Sequence, residues 1–162
     1  MQPDGDGIGS EIALYKHLIQ SGKKAWIINP SQTPEKFEVV DPHGAIQVFK
    51  PELPLPELDL VIIVDTNEVK MLGALAPLVE KLNVPIRFVD HHVKELQDTS
   101  EHLIDEKSGS SGELVYRFLK NEKSLIDFEM AQALYVAILT DTGNFRYQRT
   151  SSSTRQGRIT CA

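Results

Sequence analysis

The chain of 162 residues has almost no cysteine and no long apolar run. Its one cysteine, Cys161, excludes a disulfide within the chain, which favours a reducing compartment and predicts a cytoplasmic location. No apolar run approaches the length of about 18 residues that spans a bilayer, and no secretory signal pattern is present. We therefore expect no membrane partner. The length and the apolar content of 41% suit one globular domain with its own core.

A broad basic surface is also lacking. The net charge of −6 argues against a long nucleic-acid duplex as the partner. The segment 142–162 is the exception, because it contains no Asp or Glu but four arginines, Arg146, Arg149, Arg155 and Arg158. This segment indicates either an anion-binding end or an ordinary solvated surface, and composition alone does not separate the two.

Two common loop types are absent from the N-terminal run PDGDGIGS. A calcium-binding EF-hand that began at Asp4 would need oxygen ligands at its fifth and twelfth positions, where the chain has Ile8 and Tyr15. No phosphate loop of the pattern GxxxxGK[ST] occurs, and two carboxylates would repel a phosphate unless a cation lay between them. The pair Asp4 and Asp6 therefore favours half of a metal site.

Helical and strand patterns alternate along the chain. Apolar spacing and turn residues predict helices at 8–21, 69–82, 112–121 and 128–140, and strands at 25–28, 45–49, 58–64 and 86–89. Residues 30–45 read mostly as loop, and we expect Trp26 and Tyr135 in the core. This alternation predicts an α/β fold with a mainly parallel β-sheet flanked by helices.

Acidic and imidazole side chains follow the two apolar strands of this pattern. Asp65 closes one of them, and Asp90, His91 and His92 close the next. Because the carboxyl ends of parallel strands share one edge of a sheet, we expect Asp65 and His91 at the same edge. Asp141 follows the last apolar helix. Carboxylates with one or two imidazoles suit Mn²⁺, Mg²⁺ or Fe²⁺ better than structural zinc.

Four motifs in chain order, PDGDGIGS, VDT, DHH and TDTGNFR, carry a family resemblance. Together with the segment SSGELVYRFL they resemble the DHH (RecJ-like) phosphoesterases, most closely the nanoRNase and pAp-phosphatase (bifunctional oligoribonuclease) branch. The resemblance implies a Rossmann-like DHH catalytic domain over residues 1–162. It also implies that the family's first strand, with a metal-binding histidine, and its smaller C-terminal substrate-binding domain are both lacking.

The resemblance implies a site with two metal ions. Asp4 would bind one ion and Asp6 the other, with Asp65 bridging the two ions. His91 and Asp141 would complete the ligands of the second ion. The implied ions are Mn²⁺, with Mg²⁺ and Fe²⁺ left open.

Three further residues receive roles from the same resemblance. His92 would face the scissile phosphate, and Asp90 would orient the two histidines from behind. Arg146 would join His92 in stabilising the charge that develops on the phosphoryl oxygens.

The implied function is the hydrolysis of short oligoribonucleotides, or of nucleotide phosphates such as pAp, by a water activated between the two metals. Two alternatives stay open: a catalytically incomplete nucleotide-binding module, and a cyclic-dinucleotide phosphodiesterase. The expected partner is a short oligonucleotide or nucleotide phosphate, and a homodimer is a possible state.

Overall fold

The computed structural model describes residues 3–52, 55–92 and 101–144. Its helices are α1 (Gly5–Gln20), α2 (Ala76–Val79), α3 (Ser111–Asn121) and α4 (Phe128–Asp141). Its strands are β1 (Ile27–Asn29), β2 (Ile46–Val48), β3 (Val61–Val64), β4 (Ile86–Asp90) and β5 (Leu103–Ile104). β1 pairs with β2, and β3, β4 and β5 form a second sheet in that order. Every described pairing is parallel, which confirms the predicted α/β class.

Helix α1 begins three residues before the predicted helix. Asp4 causes this early start, because its carboxylate oxygen Oδ1 accepts hydrogen bonds from the backbone amides of Asp6 and Gly7 at 2.9 and 3.2 Å. The helix buries Ile8 and Ile12. It ends before Gly22, whose φ of +74° lies in the left-handed region and is incompatible with a right-handed helix. The capping aspartate therefore places Asp6 inside the first turn.

Helices α1, α3 and α4 approach one another closely at glycines. A methyl group on Gly9 of α1 would lie 2.2 Å from the carbonyl oxygen of Ala133 in α4. A methyl group on Gly112 of α3 would lie 2.5 Å from the Cβ of Ala137 in α4. Only glycine fits at such distances, so these two residues bring the N-terminal turns of α1 and α3 together against α4.

The core lies between these helices and the two sheets. One cluster joins α1, α3, α4 and β4, and consists of Ala13, Leu14, Val89, Leu114, Val115, Leu119, Met130 and Leu134. A second joins α1 to β1 and consists of Ile8, Ile12, Ile27, Phe37, Val40 and Ala133. A third, smaller cluster of Ile63, Val79 and Phe88 lies on the second sheet. The helices and strands that carry the predicted site residues are thus held by continuous packing.

The predicted helix 69–82 is wrong. Its residues instead form a 3₁₀ helix, Val69–Leu75, followed by the single turn of α2. Gly73, with φ of +57°, interrupts the helical backbone. Helix α2 then begins at Ala76 with Pro77 in its first turn, a position that suits proline. The predicted loop 30–45 likewise contains a 3₁₀ helix, Glu35–Val40.

The expectation that Trp26 and Tyr135 are core residues is also wrong. Trp26 is 43% exposed and Tyr135 is 39% exposed. Both rings present a large apolar surface to solvent, which is common for single aromatic residues on a protein surface. Within the described residues, no helix combines the length and the apolar character that crossing a membrane requires.

Candidate metal centre

Asp6 is the most deeply buried acid of the candidate site, with no exposed surface. Its Oδ2 accepts the backbone amide of Ser111 at 2.7 Å, and its Oδ1 accepts that of Gly112 at 2.8 Å. These amides are the first of helix α3, where the partial positive charge of a helix favours an anion. The hydroxyl of Ser10 donates to Oδ1 over a longer 3.4 Å. The N-terminus of α3 therefore fixes the orientation of this carboxylate.

Asp65 leaves strand β3 in an uncommon backbone conformation, with φ of +58°. Its amide still donates to the carbonyl of Val89 at 2.8 Å, so the residue stays attached to β4. Its Oδ1 accepts the hydroxyl of Ser111 at 3.1 Å. A left-handed conformation in a residue other than glycine is a small strain that often marks functional positions. Here it turns the carboxylate from the end of the sheet towards Ser111.

The imidazole of His91, only 3% exposed, lies among three carboxylates. Its Nε2 is 2.9 Å from Oδ2 of Asp141, 3.6 Å from Oδ2 of Asp6 and 3.9 Å from Oδ1 of Asp65. Strands β3 and β4 are in register with Val64 opposite Val89, which is why Asp65 and His91 leave the sheet side by side. The shared edge predicted from the sequence is confirmed.

Asp141 is the last residue of helix α4, where its carboxylate is a quarter exposed. A negative charge at that end meets the unfavourable end of the helix dipole, at a cost of about 0.3–1 kcal/mol. A nearby cation, or a protonated imidazole, would therefore offset the negative charge of Asp141.

A buried carboxylate holds the ring of the next residue, His92, in one orientation. Its Nδ1 lies 2.7 Å from Oδ1 of the fully buried Asp90, while 55% of the His92 side chain stays exposed. The hydrogen bond to Asp90 raises the pKa of His92 to about 8. A carboxylate bound to one ring nitrogen fixes the ring and its tautomer, and here Asp90 contacts His92, while both ring nitrogens of His91 are without a hydrogen bond among the described residues.

Burial and mutual repulsion perturb the acids of the site. Burial, followed by the negative charge of Asp65, raises the pKa of Asp6 well above its ordinary value. Burial, followed by the charges of Asp4 and Asp141, raises the pKa of Asp65 to about 7. Among the described residues, several carboxylates thus lie where neighbouring groups compensate their negative charges poorly.

These features fit a divalent cation. In the described part of the chain, neither ring nitrogen of His91 has a hydrogen bond, although both are buried. Two sets of three side chains have ligand atoms within 4.8 Å of one another: Asp6, His91 and Asp141, and Asp65, His91 and His92. Carboxylates and imidazole are a donor set for Mn²⁺ or Fe²⁺, and a cation would relieve the repulsion between the acids.

Asp4 and Arg146 stand apart from these two sets. Asp4 is exposed at the N-terminus of α1, where one carboxylate oxygen serves as the helix cap, yet its charge reaches Asp65. Arg146 lies outside the described residues. The prediction that His92 faces the phosphate stays a prediction, and its ring nitrogen also lies within 4.8 Å of ligand atoms of Asp65 and His91.

Sequence reasoning missed Ser111 and Gly112, which bind Asp6 through their amides. The run SSGE does contain a signal, since Ser110 accepts the amide of Glu113 at 3.0 Å and the Glu113 carboxylate accepts the amide of Gly109 at 3.1 Å. This capping box predicts the start of a helix. It does not reveal that the helix start meets Asp6, a contact across more than a hundred positions.

Comparison with known proteins agrees with the geometry of the candidate site. The model of the DHH family, N-terminal domain, matches residues 1–138. The chain therefore belongs to the DHH family, a family of metal-dependent phosphoesterases. The resemblance drawn from the four motifs is confirmed.

Two curated relatives are similar over nearly the whole chain. The bifunctional oligoribonuclease and PAP phosphatase NrnA of Thermus thermophilus is 31% identical over 167 residues, covering 93% of this chain and 44% of that protein. A probable protein of the same description from Streptococcus mutans is 30% identical over 168 residues, covering 95% of this chain and 47% of that protein. The chain thus spans a little under half the length of these relatives.

Two solved structures share the fold. An exopolyphosphatase-related protein from Bacteroides fragilis superimposes with a TM-score of 0.86 at 22% identity, over 99% of this chain and 50% of the other. A putative family II inorganic pyrophosphatase from Methanococcus jannaschii gives 0.72 at 23% identity, over 99% and 52%. Helices on a parallel sheet are therefore the architecture of this chain and of both neighbours.

Proposed function

We propose that this chain forms the catalytic domain of a divalent-metal-dependent phosphohydrolase for short oligoribonucleotides or nucleotide phosphates such as pAp. The observation that carries the proposal is the convergence of three carboxylates, from Asp6, Asp65 and Asp141, on the buried imidazole of His91. The names of the two curated relatives, an oligoribonuclease and PAP phosphatase, support the substrate class.

The proposed ligands fall into two groups that share Asp65. Asp6, His91 and Asp141 would hold one cation together with Asp65, because all three carboxylates lie within 4 Å of the same ring nitrogen. Asp4 and Asp65 would hold a second cation, since burial and then the charge of Asp4 raise the pKa of Asp65, and a cation there would offset both effects. Manganese is the proposed ion, since this donor set suits it, and Mg²⁺ and Fe²⁺ remain the alternatives.

Cations bound at such a site neutralise the phosphate and activate a water for attack on phosphorus. The protein's own groups orient the reactants. Asp90 fixes the ring of His92 through Nδ1, which leaves Nε2 of a half-exposed side chain to donate a hydrogen bond to a phosphate oxygen. A protonated His92 there stabilises charge that develops during hydrolysis. Arg146 is proposed to assist from the same side, on the sequence resemblance alone.

The remaining expectations stay predictions from the sequence. They are the cytoplasmic location, the homodimer, the exclusion of long duplexes as substrates, and the extent of the catalytic domain over residues 1–162. Because the chain spans under half of its relatives, the activity of those whole proteins carries over to it only as a proposal.

The test is hydrolysis of pAp and of a short 5′-labelled oligoribonucleotide by this chain, with and without Mn²⁺. Asp65→Asn keeps the size of the side chain and its acceptor for Ser111, but removes the charge that two cations would share. We expect its Mn²⁺-dependent rate to fall by more than about 100-fold, beyond the effect of a residue that only supports a ligand. Asp59→Asn, an exposed aspartate before the same strand, is the matched control and should leave the rate unchanged.

Each result separates the candidate functions. Turnover that requires Mn²⁺ and is lost only in Asp65→Asn supports the phosphohydrolase. Equal rates for Asp65→Asn and the wild type would show that the carboxylate cluster is not the catalytic centre. Tight binding of a nucleotide without turnover at any Mn²⁺ concentration would favour a nucleotide-binding module instead.

A further inference from the structure

One serine links two of the carboxylates that would hold the proposed cations. Ser111 lies 105 positions after Asp6 and 46 positions after Asp65. Its backbone amide donates to Oδ2 of Asp6 at 2.7 Å, and its hydroxyl donates to Oδ1 of Asp65 at 3.1 Å. A single residue of α3 thus contacts an acid from α1 and an acid from the end of β3.

We propose that Ser111 is a positioning residue, which sets the distance and orientation of the Asp6 and Asp65 carboxylates for divalent cations. The inference rests on the proposed function for the identity of what these carboxylates bind. It adds a residue to which neither the four motifs nor the predicted ligand set gives a role.

The hydroxyl of Ser111 is not needed to begin helix α3. The capping position belongs to the preceding Ser110, whose hydroxyl accepts the amide of Glu113 at 3.0 Å. The first helical position, which Ser111 occupies, is served well by alanine, since alanine has the highest helix propensity. The two adjacent serines therefore act on different parts of the protein, one on the helix and one on the site.

The surrounding loop keeps Ser111 in place. The Glu113 carboxylate accepts the amide of Gly109 at 3.1 Å, and the Ser110 hydroxyl accepts the amide of Glu113 at 3.0 Å. Ser108, Ser110 and Ser111 are each at most 1% exposed. A hydroxyl that is fully buried and held in this way can orient its acceptor, whereas one on a mobile loop cannot.

The Ser111 hydroxyl is the described hydrogen-bond donor to Oδ1 of Asp65, at 3.1 Å, whereas Nε2 of His91 lies farther from the same oxygen, at 3.9 Å. The backbone of Asp65 is already in a left-handed conformation, so its side chain needs a partner to select one direction.

The experiment compares Ser111→Ala with Ser108→Ala, a buried serine of the preceding loop whose hydroxyl donates to the backbone carbonyl of Ser110 at 2.9 Å. Mn²⁺ binding is measured by calorimetric titration on the full chain after EDTA treatment, together with the melting temperature of the metal-free proteins. We expect Ser111→Ala to weaken Mn²⁺ binding by about 10–100-fold, as loss of a ligand's hydrogen-bond partner does. Ser108→Ala should bind like the wild type, and the two metal-free variants should melt within about 3 °C of each other.

The outcomes distinguish this inference from the proposed function. Equal Mn²⁺ affinity in the two variants and the wild type would overturn the positioning role and leave the metal site standing. A loss of affinity in Ser111→Ala accompanied by a much lower metal-free melting temperature than that of Ser108→Ala would assign Ser111 a structural role and also overturn it. No binding by the wild type would contradict the proposed function, and the positioning role with it.

Discussion

A buried acid outside the ligand set, Glu11, makes the stability of this protein depend on pH in a way that can be calculated. Its Oε2 accepts the side-chain amide of Asn29 at 3.0 Å, which joins α1 to the end of β1. Burial raises the pKa of Glu11 from its ordinary 4.5 to about 7, against the effect of the Asn29 hydrogen bond and with a smaller contribution from the charge of Asp65. The folded protein therefore prefers the neutral form of this acid.

The sign of the pH effect follows from that rise. An acid whose pKa is higher in the folded state binds its proton more tightly there, so its contribution to stability is complete below pH 4.5 and is lost as the pH rises to about 7. At about 1.4 kcal/mol for each pKa unit, the rise from 4.5 to about 7 makes the full loss at most about 3.5 kcal/mol. Because the burial of Glu11 is intermediate and leaves part of the residue in contact with solvent, we expect about 1–3 kcal/mol.

Glu11→Gln removes the charge and keeps an oxygen that can accept from Asn29. The variant should match the wild type near pH 4.5 and should be more stable by about 1–3 kcal/mol above pH 7, a rise of roughly 2–10 °C in melting temperature. The measurement is urea unfolding, followed by circular dichroism, of the metal-free proteins between about pH 4.5 and pH 8.5. Glu57→Gln, an exposed glutamate before β3, is the control. The reasoning is refuted if the stability difference between Glu11→Gln and the wild type stays constant across this range.

Two further substitutions test the packing that supports the site. Gly9→Ala places a methyl group 2.2 Å from the Ala133 carbonyl oxygen, so α1 and α4 must separate. We expect the free energy of unfolding to fall by about 1–3 kcal/mol. A melting temperature equal to that of the wild type would contradict the close approach of the two helices. Leu119→Ala removes a side chain with no exposed surface and should cost about 2–5 kcal/mol in urea unfolding, whereas Leu125→Ala, at 78% exposure, should cost under about 0.5 kcal/mol; similar losses for both would contradict the assigned core.

The sequence predicted the parts of the fold that depend on local patterns. Strand β3 is an apolar run without alternation, as buried parallel strands are, and Asp65 follows it; β4 is apolar apart from Arg87 and its final Asp90. Parallel pairing then requires Asp65 and His91 to lie at one edge, which the structure shows. The helices at 112–121 and 128–140 were predicted to within one residue at either end, because capping residues and glycine or asparagine stops are local signals.

Other parts depend on contacts that no local pattern records. The helical spacing over 69–82 did not reveal that Gly73 would adopt a positive φ, and the two-residue strand β5 forms only because β4 is available to pair with it. Glu11 resembles a solvated residue on an amphipathic helix, and its burial follows from the position of Asn29 in another element. Non-local packing overrides local preference at each of these positions.

The same non-local contacts explain why the site is costly without a cation. Glycines at the helix contacts bring the N-termini of α1 and α3 together, and this packing forces Asp6 into a buried position next to Asp65. The two α3 amides offset part of the cost of the Asp6 charge, whereas Asp141 at the C-terminus of α4 has, among the described residues, the His91 imidazole at 2.9 Å and no such pair of amides. A ligand that binds only the folded state at 100 times its dissociation constant adds about 2.7 kcal/mol to stability. A divalent cation among these carboxylates would therefore act as part of the fold as well as of the chemistry, and a variant that weakens its binding should lose metal-dependent stability along with activity.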